Sequence, residues 1–225
     1  MRRLILINPN TNETTTETMR AIAARAAPDG WRVSAMTVRR GVPLITDAIQ
    51  LAQAAAAVAD LADAPELDDS AAAGTAGVIV SAFGDPGLDA LRARLSVPVT
   101  GIGEAAFAEA AAGGRRFAVA TTTPDLAEPI AAMARRRGHG ASFAGVALTE
   151  GDVHRIMADP AGLVAALGEA CERAIADLGA EAIVIGGGPL GEAAAMLTGR
   201  FAVPIIAPIP AAVRLAIRRV GDKAA

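Results

Sequence analysis

Short runs of β-branched and aliphatic residues recur along the chain at 4–7, 33–37, 77–80, 97–102, 117–120, 142–146, 182–185 and 203–206. Between them lie alanine-rich stretches whose apolar positions repeat at helical spacing. Brief apolar runs bounded by turn residues fit strands buried on both faces, and amphipathic stretches fit crossover helices. The pattern therefore predicts an α/β protein with parallel sheets and helices on both faces. Helices are expected from Asn12, Leu44, Leu88, Ala105, Asp125, Ala161 and Leu190, with a short one near Gly151-Asp152 and a last one over 210–220.

The pattern also repeats itself. RRLILINPNT from Arg2 is echoed by RRFAVATTTP from Arg115, and VIVSAFGDPGLDALRARLSVPV, ending at Val99, by AIVIGGGPLGEAAAMLTGRFAVPI, ending at Ile205. Each echo keeps the order of strand, small-residue turn and helix, which predicts two pseudo-symmetric lobes. The expected division is 1–100 for the first lobe, with 208–225 packing back on it, and 101–207 for the second.

In parallel α/β folds ligands gather beyond the carboxyl ends of the strands. Four strand-to-helix turns here are polar or glycine-rich: Asn8-Pro9-Asn10-Thr11, Gly84-Asp85-Pro86-Gly87, Thr121-Thr122-Thr123-Pro124 and Gly186-Gly187-Gly188-Pro189. Asp85, Thr123 and Gly188 precede prolines that suit a first helical position, and Asn10 with Glu13 is spaced as a capping box. Well-made caps explain any one such turn. Four arranged by the repeat predict a cradle of helix N-termini for a small anion.

Composition narrows the chemistry. A hydrophobic share of 52% excludes general disorder, and charge, Gly or Pro interrupts every apolar run before it could span a bilayer. The apolar run after Arg2-Arg3 is too short for a signal peptide, so a cytoplasmic protein is expected. A net charge of −3 with one Trp and no Tyr leaves neither a basic stripe nor a stacking platform for nucleic acid. The only cysteine, Cys171, shares a helical face with Val164, Leu167, Ile175 and Leu178 and reads as a buried structural thiol. The glycine turn at Gly186 formally holds G-x-G-x-x-G, but it comes late, carries a proline and lacks the acid after the next strand, so no dinucleotide is expected. His139 lies between glycines in a loop and reads as solvated. His154 opens a short helix, and neither histidine has partners at metal-ligand spacing. No metal or other cofactor is expected.

INPNTN from Ile7, FGDPGLDALR from Phe83, PVTGIGEAA from Pro98, TTT from Thr121 and VPIIAPIPAAVR from Val203 resemble the aspartate/glutamate/hydantoin racemase superfamily, closest to its hydantoin and allantoin racemases. The resemblance spans nearly the whole chain with its segments in order. It implies two flavodoxin-like lobes, ring or acyl anions held by backbone amides without metal or pyridoxal, and homo-oligomeric relatives. It makes Asn8, Asn10, Gly84, Thr121, Thr122 and Gly188 the expected substrate contacts. It also implies a pair of cysteines, one removing the α-proton and the other supplying a proton to the opposite face. At the matching positions this chain has Ala82 and Gly187, which carry no proton.

Ser81, Asp85, His154 and Glu192 are the remaining candidates for proton transfer. Each also has a plain structural reading: a strand-end hydrogen bond, a cap, a solvated ring and a carboxylate complementing a helix dipole. Two functions follow. One is a cofactor-independent enzyme acting on a hydantoin, ureide or acidic amino acid through a carbanion-like intermediate, by isomerase, lyase, decarboxylase or hydrolase chemistry. The other is a catalytically silent protein that binds the same small anion.

Overall fold

A computed structural model describes residues 1–67 and 74–224. The chain divides into two compact units, one of 1–105 plus the stretch from 209 onward, the other of 106–208. In the first unit the elements run β1 (Arg2–Asn8), α1 (Glu13–Ala26), β2 (Trp31–Thr37), α2 (Ala48–Ala59), β3 (Thr75–Val80), α3 (Leu88–Arg94), β4 (Val99–Gly101) and the start of α4 (Ile102–Ala110), whose remainder from Ala106 belongs to the second. The second contains β5 (Phe117–Thr121), α5 (Ala127–Arg136), β6 (Phe143–Leu148), α6 (Val153–Ala158), α7 (Pro160–Ala176), β7 (Ala182–Ile185), α8 (Gly191–Leu197) and β8 (Ile205–Ile206). The closing helix α9 (Pro208–Ala224) belongs mainly to the first unit.

Among the described residues each unit has one four-stranded sheet, ordered β2-β1-β3-β4 and β6-β5-β7-β8, with all pairings parallel. All eight expected strands are present, and the two sheets share one topology. The central strands β1, β3, β5 and β7 are almost wholly buried, whereas β2 and β6 at the edges are half-covered. Burial on both faces is what makes the central runs continuously apolar.

β4 and β8 are shorter than expected for the same reason. Pro98 and Pro204 donate no hydrogen bond, so ladder pairing starts after them, though their carbonyls accept from Val78 and Ile183 at 2.9 Å. Several helix starts also differ from expectation. Asn12, not Asn10, caps α1 by accepting from Thr15, and Asp47 sets the start of α2 by accepting from Gln50. Gly87 and Leu190 precede α3 and α8, so Pro86 and Pro189 lie ahead of those helices rather than inside their first turns.

α4 begins three residues before the expected Ala105. The Asp85 carboxylate accepts from the Gly103 and Glu104 amides at 2.7 and 2.8 Å, capping a helix that is not its own. That approach requires glycine at 101, where a Cβ would lie 2.2 Å from the Asp85 Cγ. Glu104 adds a second closure, its Oε1 accepting from the Gly101 amide at 3.2 Å and from Arg92 and Arg219.

His139 departs from its expected solvated loop. Gly138 and His139 donate back to Arg135 and Ala134, closing α5 in a Schellman arrangement. This closure turns the imidazole edge-on to Phe107 and Phe117, with 6.2 Å between ring centroids in each case. Burial there depresses the His139 pKa.

Candidate functional site

The shared strand order brings the turns after β1 and β3 together in the first unit, and those after β5 and β7 together in the second. The Ser81 amide donates to the Ile7 carbonyl at 2.8 Å, and the Gly186 amide to Ala120 at 2.8 Å. This is the point in a doubly wound sheet where helix N-termini and unpaired amides collect.

The turn after β1 is closed on itself. The buried Asn8 side chain donates through Nδ2 to Asn10 Oδ1 and Thr16 Oγ1 at 2.8 Å and to the Asn12 carbonyl at 3.1 Å, while its Oδ1 accepts from the Asn10 amide. Asn10 Oδ1 also accepts from the Asn12 amide, and the Thr11 amide donates to the Val42 carbonyl. Thr16 extends the network to Thr37 at 2.7 Å. Every amide from Asn10 to Asn12 is thus engaged, which corrects the expectation of an open helix N-terminus at this turn. The side-chain Nδ2 and Oδ1 of Asn8 are both engaged within the turn and the start of α1. Asn10 is also tied through Oδ1, and its Nδ2 carries none of the turn's hydrogen bonds.

The turn after β3 behaves differently. Asp85 is buried with a φ of 52°, and its amide donates to the Ala82 carbonyl at 3.0 Å. Among the described residues, nothing accepts from the amides of Ala82 or Gly84. The two nearby proton candidates have internal tasks. Ser81 is buried and its hydroxyl donates to Met19 Sδ at 3.2 Å, and Asp85 holds the start of α4. Both oxygens of the Asp85 carboxylate are thus occupied by amides of another helix.

In the second unit, Thr121 Oγ1 donates to the Gly186 carbonyl at 2.8 Å and lies 3.2 Å from Thr123 Oγ1, tying the threonine turn to the glycine turn. Gly187 donates back to Ile185, and Leu190 to Gly187. Among the described residues, the amides of Thr122, Thr123 and Gly188 have no acceptor, and the Thr122 hydroxyl has no partner. Thr122 and Thr123 are mostly covered, so these donors are partly desolvated and set by the backbone. Such donors suit an oxyanion or imide anion.

Ala82 and Gly187 are both half-buried. A Cβ at Gly187 would lie 2.8 Å from the Leu190 Cδ1 and Cγ, so any side chain there must displace Leu190. Cys171, the single thiol, is fully buried in α7, and burial, with the Glu172 charge, pushes its pKa to about 12. It is inert packing. His154 and Glu192 are exposed, in the first turns of α6 and α8. Among the described residues, no three His, Cys, Asp or Glu side chains cluster as a metal site, and no helix is long and apolar enough to cross a membrane.

Similarity to known proteins agrees with this geometry. An allantoin racemase from Klebsiella pneumoniae superposes with a TM-score of 0.89 at 32% identity, over 99% of this chain and 89% of that one. The allantoin racemase of Pseudomonas fluorescens gives 0.90 at 28% identity, over 98% and 92%. A hydantoin racemase of Paenarthrobacter aurescens is 28% identical across 214 residues, 95% of this chain and 89% of its own. The pattern shared by Asp/Glu/Hydantoin racemases matches residues 4–216, and the chain belongs to that family.

Proposed function

We propose that this protein binds a small amino-acid-derived ring or carboxylate, of the hydantoin, ureide or acidic amino-acid class, and stabilises its carbanion-like form without a two-cysteine mechanism. The observation that carries the reading is the set of unclaimed amides at Thr122, Thr123 and Gly188 in the second unit. Breaking the α C–H bond moves its electron pair onto the neighbouring carbonyl oxygen. Preorganised N–H donors favour that oxyanion over the neutral ring. The proton passes to one base, and protonation from the same side restores the substrate. Racemisation needs a second donor on the opposite face, and Ala82 and Gly187 supply none.

The test is incubation in D2O with 5-substituted hydantoins, allantoin, aspartate and glutamate, following the α-proton by NMR. Exchange with retained configuration is the expected result, and full racemisation would overturn the one-base mechanism. Glu192 and His154 are the ionisable candidates with solvent-facing side chains. Replacing the group that carries the proton, as Glu192→Gln or His154→Asn, slows exchange by roughly 100-fold, the scale of general acid–base catalysis.

The engagement of Ser81 and Asp85 favours a second reading, a binding protein that holds the anion and does no chemistry. Saturable stabilisation by one of these ligands, with neither exchange nor product, selects it.

A further inference from the structure

Away from the strand-end turns, three cationic side chains of the first unit line one cavity of about 380 Å³ beside the start of β4: Arg92 from α3 and Arg219 and Lys223 from α9. Arg92 donates through Nε and Nη2 to the Val99 carbonyl at 3.1 and 2.9 Å, and Arg219 Nη1 reaches the same oxygen at 3.2 Å. Lys223 donates to the Ser96 carbonyl. The carboxylate shared by the two arginines is Glu104, and it is nearly buried. Asp89 stands 3.8 Å from Arg92 but is 76% exposed, where its charge is largely screened.

Donors here outnumber acceptors. A guanidinium has five N–H groups, and all the hydrogen bonds of Arg219 leave from Nη1, so among the described residues its Nε and Nη2 have no acceptor. Lys223 uses one of three. Burial would raise the Glu104 pKa, but hydrogen bonds from Arg219 and Arg92 outweigh it and hold the carboxyl below its ordinary value, so Glu104 remains an anion. One such anion does not balance three cations around one cavity. In a chain whose net charge is −3, this is a local reversal of sign.

We infer that the cavity between α3, β4 and α9 is a binding site for a phosphate group, either inorganic phosphate or a phosphate monoester, separate from the proposed ring-anion site. Forked guanidinium donors and a flexible ammonium suit a tetrahedral oxyanion, which offers several acceptors to more than one cation. Occupancy joins the C-terminal helix to β4 and α3, so the ligand stabilises the folded first unit.

The test is thermal unfolding of the full chain against sodium phosphate and glycerol phosphate, with ionic strength held constant by NaCl. A saturable rise in Tm with phosphate, absent with NaCl alone, is expected. A rise with both compounds assigns a site open to monoesters, and one with inorganic phosphate alone assigns a site closed around the free ion. Lys223→Glu, at an exposed position, should weaken phosphate binding by about tenfold or more, through loss of one cation and gain of a repelling charge, while hydantoin or allantoin binding is unchanged. Line broadening of phosphate in 31P NMR supplies a readout independent of stability. The inference is overturned if the Tm gain only tracks ionic strength, if Lys223→Glu leaves phosphate binding intact, or if phosphate competes with the ring ligand.

Discussion

The turns after β1 and β5 leave central strands at the same place in two sheets of the same topology, yet they use their polar groups in opposite ways. In the first unit Asn8, Asn10, Asn12 and Thr16 consume one another's donors and acceptors, and the turn is rigid and closed. In the second, the Thr121 and Thr123 hydroxyls pair with each other and Thr121 with Gly186, while among the described residues the Thr122 and Thr123 amides and the Thr122 hydroxyl have no partner. One fold position can thus have its donors closed off or left open, and the choice lies in side chains rather than topology. Asparagine can accept from the backbone while donating to neighbours, so three in five residues lock a loop.

The most severe test of this contrast is Asn8→Ala. It leaves the Asn10 amide without its acceptor and removes the donor shared by Asn10 Oδ1, Thr16 Oγ1 and the Asn12 carbonyl, and a loss of about 2–3 kcal/mol is expected in urea unfolding. Thr122→Ala in the second unit should cost no more than about 0.5 kcal/mol, because it removes no internal hydrogen bond, yet weaken ring-anion binding severalfold. Equal destabilisation by the two variants would break the comparison.

The next largest effect concerns Ala82 and Gly187. Gly187→Cys must push Leu190 aside and should cost roughly 1–3 kcal/mol, whereas Ala82→Cys extends a Cβ already present at a half-buried position and should cost less. Racemisation of a hydantoin by the double variant, beside single-base exchange in the parent, would sharpen the reading that the amides are intact and the acid–base pair is what this chain lacks.

Acid should distinguish the units more gently. His139, whose pKa is depressed by burial from its ordinary 6.5, contributes stability fully present above that value and lost as pH falls through its lower folded value. The rings against it are Phe107 and Phe117, which offer no counter-charge. Glu104 is likewise depressed from 4.5, and its contribution is lost only at lower pH. Amide exchange on acidification should therefore rise first around α5 and β6 and later around β4 and α9. His139→Leu should remove the earlier phase, and Glu104→Gln the later one.

Much of this architecture is legible in the residues. Continuous apolar runs mark the strands, because a parallel sheet covered on both faces has no solvent side to encode, and the paired echoes mark the duplicated topology. The four turns are visible as breaks in those runs. Less legible are helix starts such as that of α4, whose cap is Asp85 from a different turn, and the packing of His139, which depends on Phe107 and Phe117 from other elements.

By itself the sequence determines that the chain alternates strand and helix twice over, that polar turns close its strands, and that neither Ala82 nor Gly187 can move a proton. Tertiary structure alone decides which of those turns still has donors to give. A hydrogen-bonding group's availability depends on whether the folded chain brings an acceptor within about 3 Å; the Asn10 and Asn12 amides find theirs on side chains of the same turn, and the Thr11 amide finds its own on the distant Val42 carbonyl. The chain spells out the Asn8 turn and the Thr121 turn as similarly polar segments, and the folded units spend the amides of the first and leave those of the second open.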